Sequence, residues 1–222
     1  MKALVIVFAC ATATSAFGSV PKGYSIVPKS TSPDGKLAVT APDDPSSTLP
    51  NQLVEVSTGK VVASLVSVPA PLTESHVEFH PTWSKDGALL EWYVDGKWGS
   101  WALVLVHVDH GAVTSQLDAR ELAVHEVLAD VQRTHRDAAA AAKRQGAQSG
   151  SWFRDGLAID VKPIGTKLTD DGNLVVPSPA LPLALDVTYT SNPKHLDDYP
   201  KSAELDGKLA LAIDAHGKLT RR

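Results

Sequence analysis

Cysteine is almost missing from this 222-residue chain: Cys10 stands alone, so no disulfide can form within it and stability must come from burial. No apolar run beyond the N-terminal residues approaches the length of a membrane-spanning helix, which excludes such a span in the remainder. Basic residues number 21 against 25 acidic ones, giving a net charge of −4. No basic cluster is interleaved with aromatic side chains, so nucleic-acid binding is unsupported. A Gly-x-Ser-x-Gly elbow is absent, and without a cysteine after Cys10 thiol catalysis is excluded from the remainder. No residue is singled out as catalytic.

What is present begins at the N-terminus. Met1-Lys2 is followed by the apolar or small run Ala3 to Ala11, and Ala16-Phe17-Gly18 makes a small-residue exit. That order predicts a signal peptide over residues 1–18, and hence a secreted or periplasmic protein. Cys10, after Val7-Phe8-Ala9, leaves lipidation as an alternative; the bulk of Phe8 and the early position of Cys10 count against it.

A turn motif then occurs twice, about 50 residues apart. Ser32-Pro33-Asp34-Gly35-Lys36 leads into Leu37-Ala38-Val39, and Trp83-Ser84-Lys85-Asp86-Gly87 leads into Ala88-Leu89-Leu90-Glu91-Trp92. The Asp side chain can satisfy its own turn, and Gly accepts the positive φ that a Cβ resists. Gln52 to Val56 alternates polar and apolar and turns at Thr58-Gly59 into Lys60 to Leu65, which predicts a hairpin. Leu89 to Val94, a turn at Asp95-Gly96, and Trp101 to Val108 predict another. These units resemble the blades of TolB-type β-propellers, in two divergent copies over residues 24–117. The resemblance implies blade-like meanders and nothing about activity. A closed ring takes about four to eight blades, more than this length holds.

From Asp118 the period changes. Asp118 with Glu121 suggests a helix start, and Leu117, Val124, Val127, Leu128, Val131, Ala138 and Ala142 fall on one helical stripe. One long amphipathic helix over 118–146 is expected, with His135 buried on its apolar side and Gly146 as its stop. Strands return at Leu157 to Val161, Leu174 to Val176, Leu183 to Thr190 and Lys208 to Asp214. The fold expected is mainly β (α+β): two propeller-like antiparallel meanders over 19–117, the helix, and a C-terminal β region over 147–222. Residues 19–222 form one unit that is not a closed propeller.

Two constellations carry chemistry. In His76-Val77-Glu78-Phe79-His80 a strand period places His76, Glu78 and His80 on one face, a set suited to zinc or non-haem iron. The plainer reading is an amphipathic strand with no cofactor. His107 and Asp109 share a face that would enlarge such a set only if the strands adjoin. The second constellation is aromatic: Trp83, Trp92, Trp98 and Trp101 crowd one hairpin. Trp83 and Trp92 read as core, whereas Tyr93, Trp98 and Trp101 form a candidate surface for a sugar ring or a partner side chain. Ser57-Thr58-Gly59-Lys60 lacks the upstream Gly and following Ser or Thr of a phosphate loop, and Asp170-Asp171-Gly172-Asn173 is a tight turn. The function expected is an exported, non-catalytic binding or assembly module of the bacterial envelope that contacts a protein or glycan through the aromatic hairpin. The alternatives are a metal-binding protein or metal-dependent enzyme using His76, Glu78 and His80, and a structural subunit whose open sheet edge a partner strand completes.

Overall fold

Up-and-down antiparallel strands are the main regular element of the structure, as the alternating patterns predict. The computed structural model describes residues 19–44, 46–66, 77–96, 99–146, 154–171, 173–191 and 205–222. The expected signal peptide, Cys10, His76 and Trp98 lie outside these. Strands β1 (Tyr24–Ile26), β2 (Leu37–Pro42), β3 (Gln52–Glu55) and β4 (Val61–Ser64) form a first four-stranded sheet in chain order. Strands β5 (Val77–Trp83), β6 (Leu89–Gly96), β7 (Gly99–Asp109) and β8 (Ala112–Asp118) form a second in the same way. Helices α1 (Ala119–Thr134) and α2 (Arg136–Gly146) follow, then β9 (Leu157–Pro163). A short hairpin, β10 (Lys167–Leu168) with β11 (Leu174–Val175), precedes β12 (Leu183–Ser191), β13 (Asp206–Ile213) and β14 (Leu219–Arg221). The third sheet has the order β14-β13-β12-β9, and among the described residues no sheet closes on itself.

The twin Asp-Gly turns occupy equivalent places, each joining the first and second strands of its sheet. Their hydrogen bonds correspond atom for atom. The Ser32 hydroxyl donates to Asp34 Oδ1 at 2.7 Å and accepts from the Leu37 N–H at 2.9 Å, while the Lys36 N–H donates to Asp34 at 3.1 Å. The Ser84 hydroxyl donates to Asp86 Oδ1 at 2.6 Å and accepts from the Leu89 N–H at 2.9 Å, while the Ala88 N–H donates to Asp86 at 3.1 Å. The serine hydroxyl is the main reason that both carboxyls sit below the usual carboxylate pKa. Gly35 and Gly87 hold φ values of 75° and 72°.

The second sheet is the middle layer. On β6, Leu90, Trp92 and Val94 face the first sheet, joining Val27, Val39 and Leu53 in one apolar cluster. Leu89 and Tyr93, with Leu103 and Leu105 of β7, face the helices and the third sheet in a second cluster. Every side chain from Leu89 to Val94 is buried, as a strand covered on both faces requires. Polar ties lock the layers: the Trp83 indole donates to Ser30 O at 2.9 Å, and Gln116 bonds Ser64 O and the Val66 N–H.

The expected single helix is two helices. Asp118 caps the first as predicted, its carboxylate accepting from the Glu121 N–H at 2.9 Å. At the far end Thr134 turns its hydroxyl back onto Asp130 O at 2.8 Å, and His135 leaves the helical region at φ −136° and ψ 48°. Thr and His are weak helix formers, and the segment 132–137 is exposed, so no packing holds the chain straight there. His135, expected in the core, is therefore exposed. Val124, Val127 and Val131 do bury against the sheets, each worth about 1.5–3 kcal/mol. The alanine-rich α2 approaches β9's leading turn so closely that a Cβ on Gly156 would strike Ala142 O.

Because both turn glycines have room around them, their requirement is conformational alone. Gly35→Ala and Gly87→Ala are each expected to cost about 1–2 kcal/mol in urea unfolding, and similar amounts, since the two turns are equivalent. A neutral result at either position would break that equivalence.

Candidate functional site

A meander leaves its first and last strands with one unpaired edge each, and the first strand of the middle sheet, β5, is such an edge. Its edge opens on a cleft of about 890 Å³. Lys29 and residues 78–82 form one wall; Thr169, Asp171 and residues 173–176, around the β10–β11 hairpin, form the other. The Ser178 hydroxyl, just beyond the second wall, donates to Trp83 O at 2.9 Å and ties the two together. Lys29 at the lip is a non-glycine residue with φ 62°, a backbone state that L side chains rarely adopt.

His80 occupies the floor. It pairs across the ladder with Tyr93, and the two rings stack at 5.7 Å and 30°. Its side chain is 13% exposed, and burial is the main cause that pushes its pKa below the ordinary histidine value, so it is neutral at pH 7. Nε2 lies 3.6 Å from Glu78 Oε2, beyond hydrogen-bond reach, and has no hydrogen-bond partner among the described residues. A buried imidazole nitrogen without a partner is costly. The Tyr93 hydroxyl donates to Asp95 Oδ1 at 3.3 Å; burial first, then the Asp95 and Asp160 carboxylates, push its pKa upward.

Behind this floor lies a residue to which sequence reasoning assigned no role. Glu91 pairs with Thr82 of the cleft wall, is fully buried, and neither carboxylate oxygen has a partner among the described residues. Burial alone raises its pKa from 4.5 to about 8. A glutamate inside an otherwise apolar strand was the available signal.

Of the candidate surface of Tyr93, Trp98 and Trp101, Tyr93 lies in the core. Tyr93 is 0% exposed and offers no contact surface. The hairpin register explains the error: Gly96 pairs with Gly99 and Tyr93 with Leu103, so β6 runs through Asp95-Gly96 instead of turning there. Trp101 is half-buried, with its indole against Gly96, where a Cβ would collide with it. Trp98 lies outside the described residues.

Of the metal set, Glu78 and His80 adjoin while His76 lies outside the described residues. His107 pairs with Leu89, four positions along β6 from Tyr93, and so sits about 13 Å from His80 along the strand direction. Among the described residues no three His, Cys, Asp or Glu side chains gather as a metal site. The Asp171 turn is self-satisfied, its carboxylate bonded to Thr169 and to Asn173 Nδ2 at 2.6 Å. Thr58-Gly59 is the β3–β4 hairpin turn, as predicted.

A second polar node ties the layers near the site. Buried Ser100 donates its N–H to Asp160 at 2.9 Å, accepts the Val161 N–H on its hydroxyl at 2.9 Å, and accepts Arg120 Nε on its carbonyl at 2.6 Å. These bonds join β7, β9 and α1. Their role is structural, since each atom is spent on a neighbouring element.

No family model, no curated protein and no solved structure matches this chain.

The folded chain holds a proton on Glu91 that the unfolded chain releases near pH 4.5. This group's contribution is therefore complete in acid and declines by about 1.4 kcal/mol per pH unit as pH rises towards 8. Glu91→Gln is expected to flatten that decline, gaining on wild type by several kcal/mol between pH 5 and 9 in urea unfolding. Parallel profiles for the two proteins would show that Glu91 is solvated or paired.

Proposed function

We propose that the chain is an exported, non-catalytic binding module of the bacterial envelope, taking part of an envelope protein or a glycan into the cleft beside β5. The observation that carries it is a cleft of about 890 Å³ along the unpaired edge of β5, with the buried, unsatisfied Nε2 of His80 beneath its lining. The lining suits recognition: an ammonium at Lys29, carboxylates at Glu78 and Asp171, and apolar walls at Phe79 and Val175. Burial of Tyr93 counts against the aromatic hairpin as the ligand surface and favours this cleft. Export is inferred from the N-terminal residues alone.

The likeness to propeller blades belongs to the same proposal. Two successive four-stranded meanders pack face to face and share one turn at one topological place, which supports an open, blade-like stack. A third meander follows the helices, with its own Asp-x-x-Gly turn in which Asp214 Oδ1 accepts the His216 and Lys218 N–H groups. The helical pair is then a wedge between blades two and three.

Amide chemical-shift mapping tests the location. With soluble peptidoglycan fragments and a pool of random heptapeptides as probes, shifts are expected at residues 77–82 and 173–176. His80→Ala is expected to weaken the binding probe by about tenfold. Shifts confined to residues 99–102 would return the site to the aromatic hairpin and overturn the cleft.

A further inference from the structure

We propose that the outer edge of β5 accepts an extended peptide segment of a partner protein as an added strand, in a register set by Phe79. The inference rests on the cleft being the binding site and names the ligand class that it takes.

The phase of β5 is fixed by three independent features. The Ser84 N–H donates to Leu89 O at 2.8 Å, so Ser84 and Leu89 are a hydrogen-bonded pair and Trp83, one residue back, points its backbone groups away from β6. Trp83 O is met from outside by Ser178, which gives the same phase. Pro81, two residues further back, has no N–H to offer and is tolerated within a strand only where that N–H would face outward. By alternation the outward groups are those of Val77, Phe79, Pro81 and Trp83. Trp83 O is taken, and Pro81 supplies only a carbonyl. Phe79 is then the central residue that can both donate and accept, and among the described residues nothing bonds its N–H or C=O. It lies on the cleft wall.

An extended backbone is the ligand whose groups match this row. A strand laid along β5 exchanges two bonds with Phe79 and gives one N–H to Pro81 O. Its side chains alternate between the His80 face and the Phe79 face, so one set lies over the His80 side and the other against the apolar wall. The opposite bank is itself an extended segment, residues 174–176, whose Val175 is 52% exposed. Two carboxylates against one ammonium on the lining favour a basic residue in the partner. Pro81 and the Ser178 bond limit pairing to a short stretch, which guards the edge against sheet-to-sheet aggregation.

Heptapeptides selected from a random phage-displayed library on the full chain, then resynthesised with single N-methyl groups at each position, test the inference without altering the protein. In-phase methylation is expected to weaken binding by about tenfold or more and out-of-phase methylation to leave it nearly unchanged, giving a period of two. The Phe79 amide is expected to gain hydrogen-exchange protection in the complex, and Phe79→Pro, which deletes no bond to β6, to lose binding. An N-methyl scan with no alternation, or a library that yields no binder, overturns strand addition. Should shifts at 77–82 persist without alternation, the cleft stands and the strand does not; shifts elsewhere overturn both.

Discussion

The structure depends on a sheet whose two central strands have no wet face. Leu89 to Val94 and Ala102 to Val106 are apolar on both sides apart from Glu91, and all are buried. Such a sheet must be covered twice. The first meander covers one face through Trp92, Leu53 and Val39, and the helices with the third sheet cover the other through Tyr93, Val127 and Leu185. The side chains that cross between layers, Trp83 to Ser30 and Gln116 to Ser64, fix how the covers sit. Charge closes the rim: Arg154 forks onto Glu121 at 2.7 and 2.8 Å, and Arg221 spans Glu126 and Asp130, tying the third sheet to α1.

The candidate site follows from the same constraint. Covering the faces does not cover the edges. Near β8, Gln116 reaches back to the end of β4, whereas β5 keeps its outer backbone towards the cleft. The β10–β11 hairpin stands off from β5 instead of pairing with it, so the cleft has two strand-like banks. His80 and Glu91 sit on one face of the ladder at this edge and both carry polar atoms without partners among the described residues. Two unsatisfied groups so close together oppose stability, and natural sequences retain such costs at sites of function.

The strands were legible because period-two alternation and Asp-Gly punctuation are local signals. The Ser32 and Ser84 turns needed nothing beyond their own residues to form. The helix break was not legible: the valine stripe continues towards Ala138, and the competing Thr134 hydroxyl bond to Asp130 O is a local side-chain choice that hydrophobic periodicity does not register. Tyr93 shows a different limit. Alternation places it on the face opposite Trp92, but only the third sheet, far along the chain, decides that this face is dry. The cleft was invisible for the same reason, since its banks come from segments about 90 residues apart. Glu78 and His80 were singled out from spacing, and they do adjoin; what gives His80 its character is burial against Tyr93, which spacing does not encode.

Native-state hydrogen exchange measures the central claim most directly. If the middle sheet is the doubly covered layer, amides of residues 90–94 and 102–106 exchange only through global unfolding and carry the largest protection in the chain. Protection of those amides below that of β2 or β12, or exchange through a local opening insensitive to denaturant, would contradict the account.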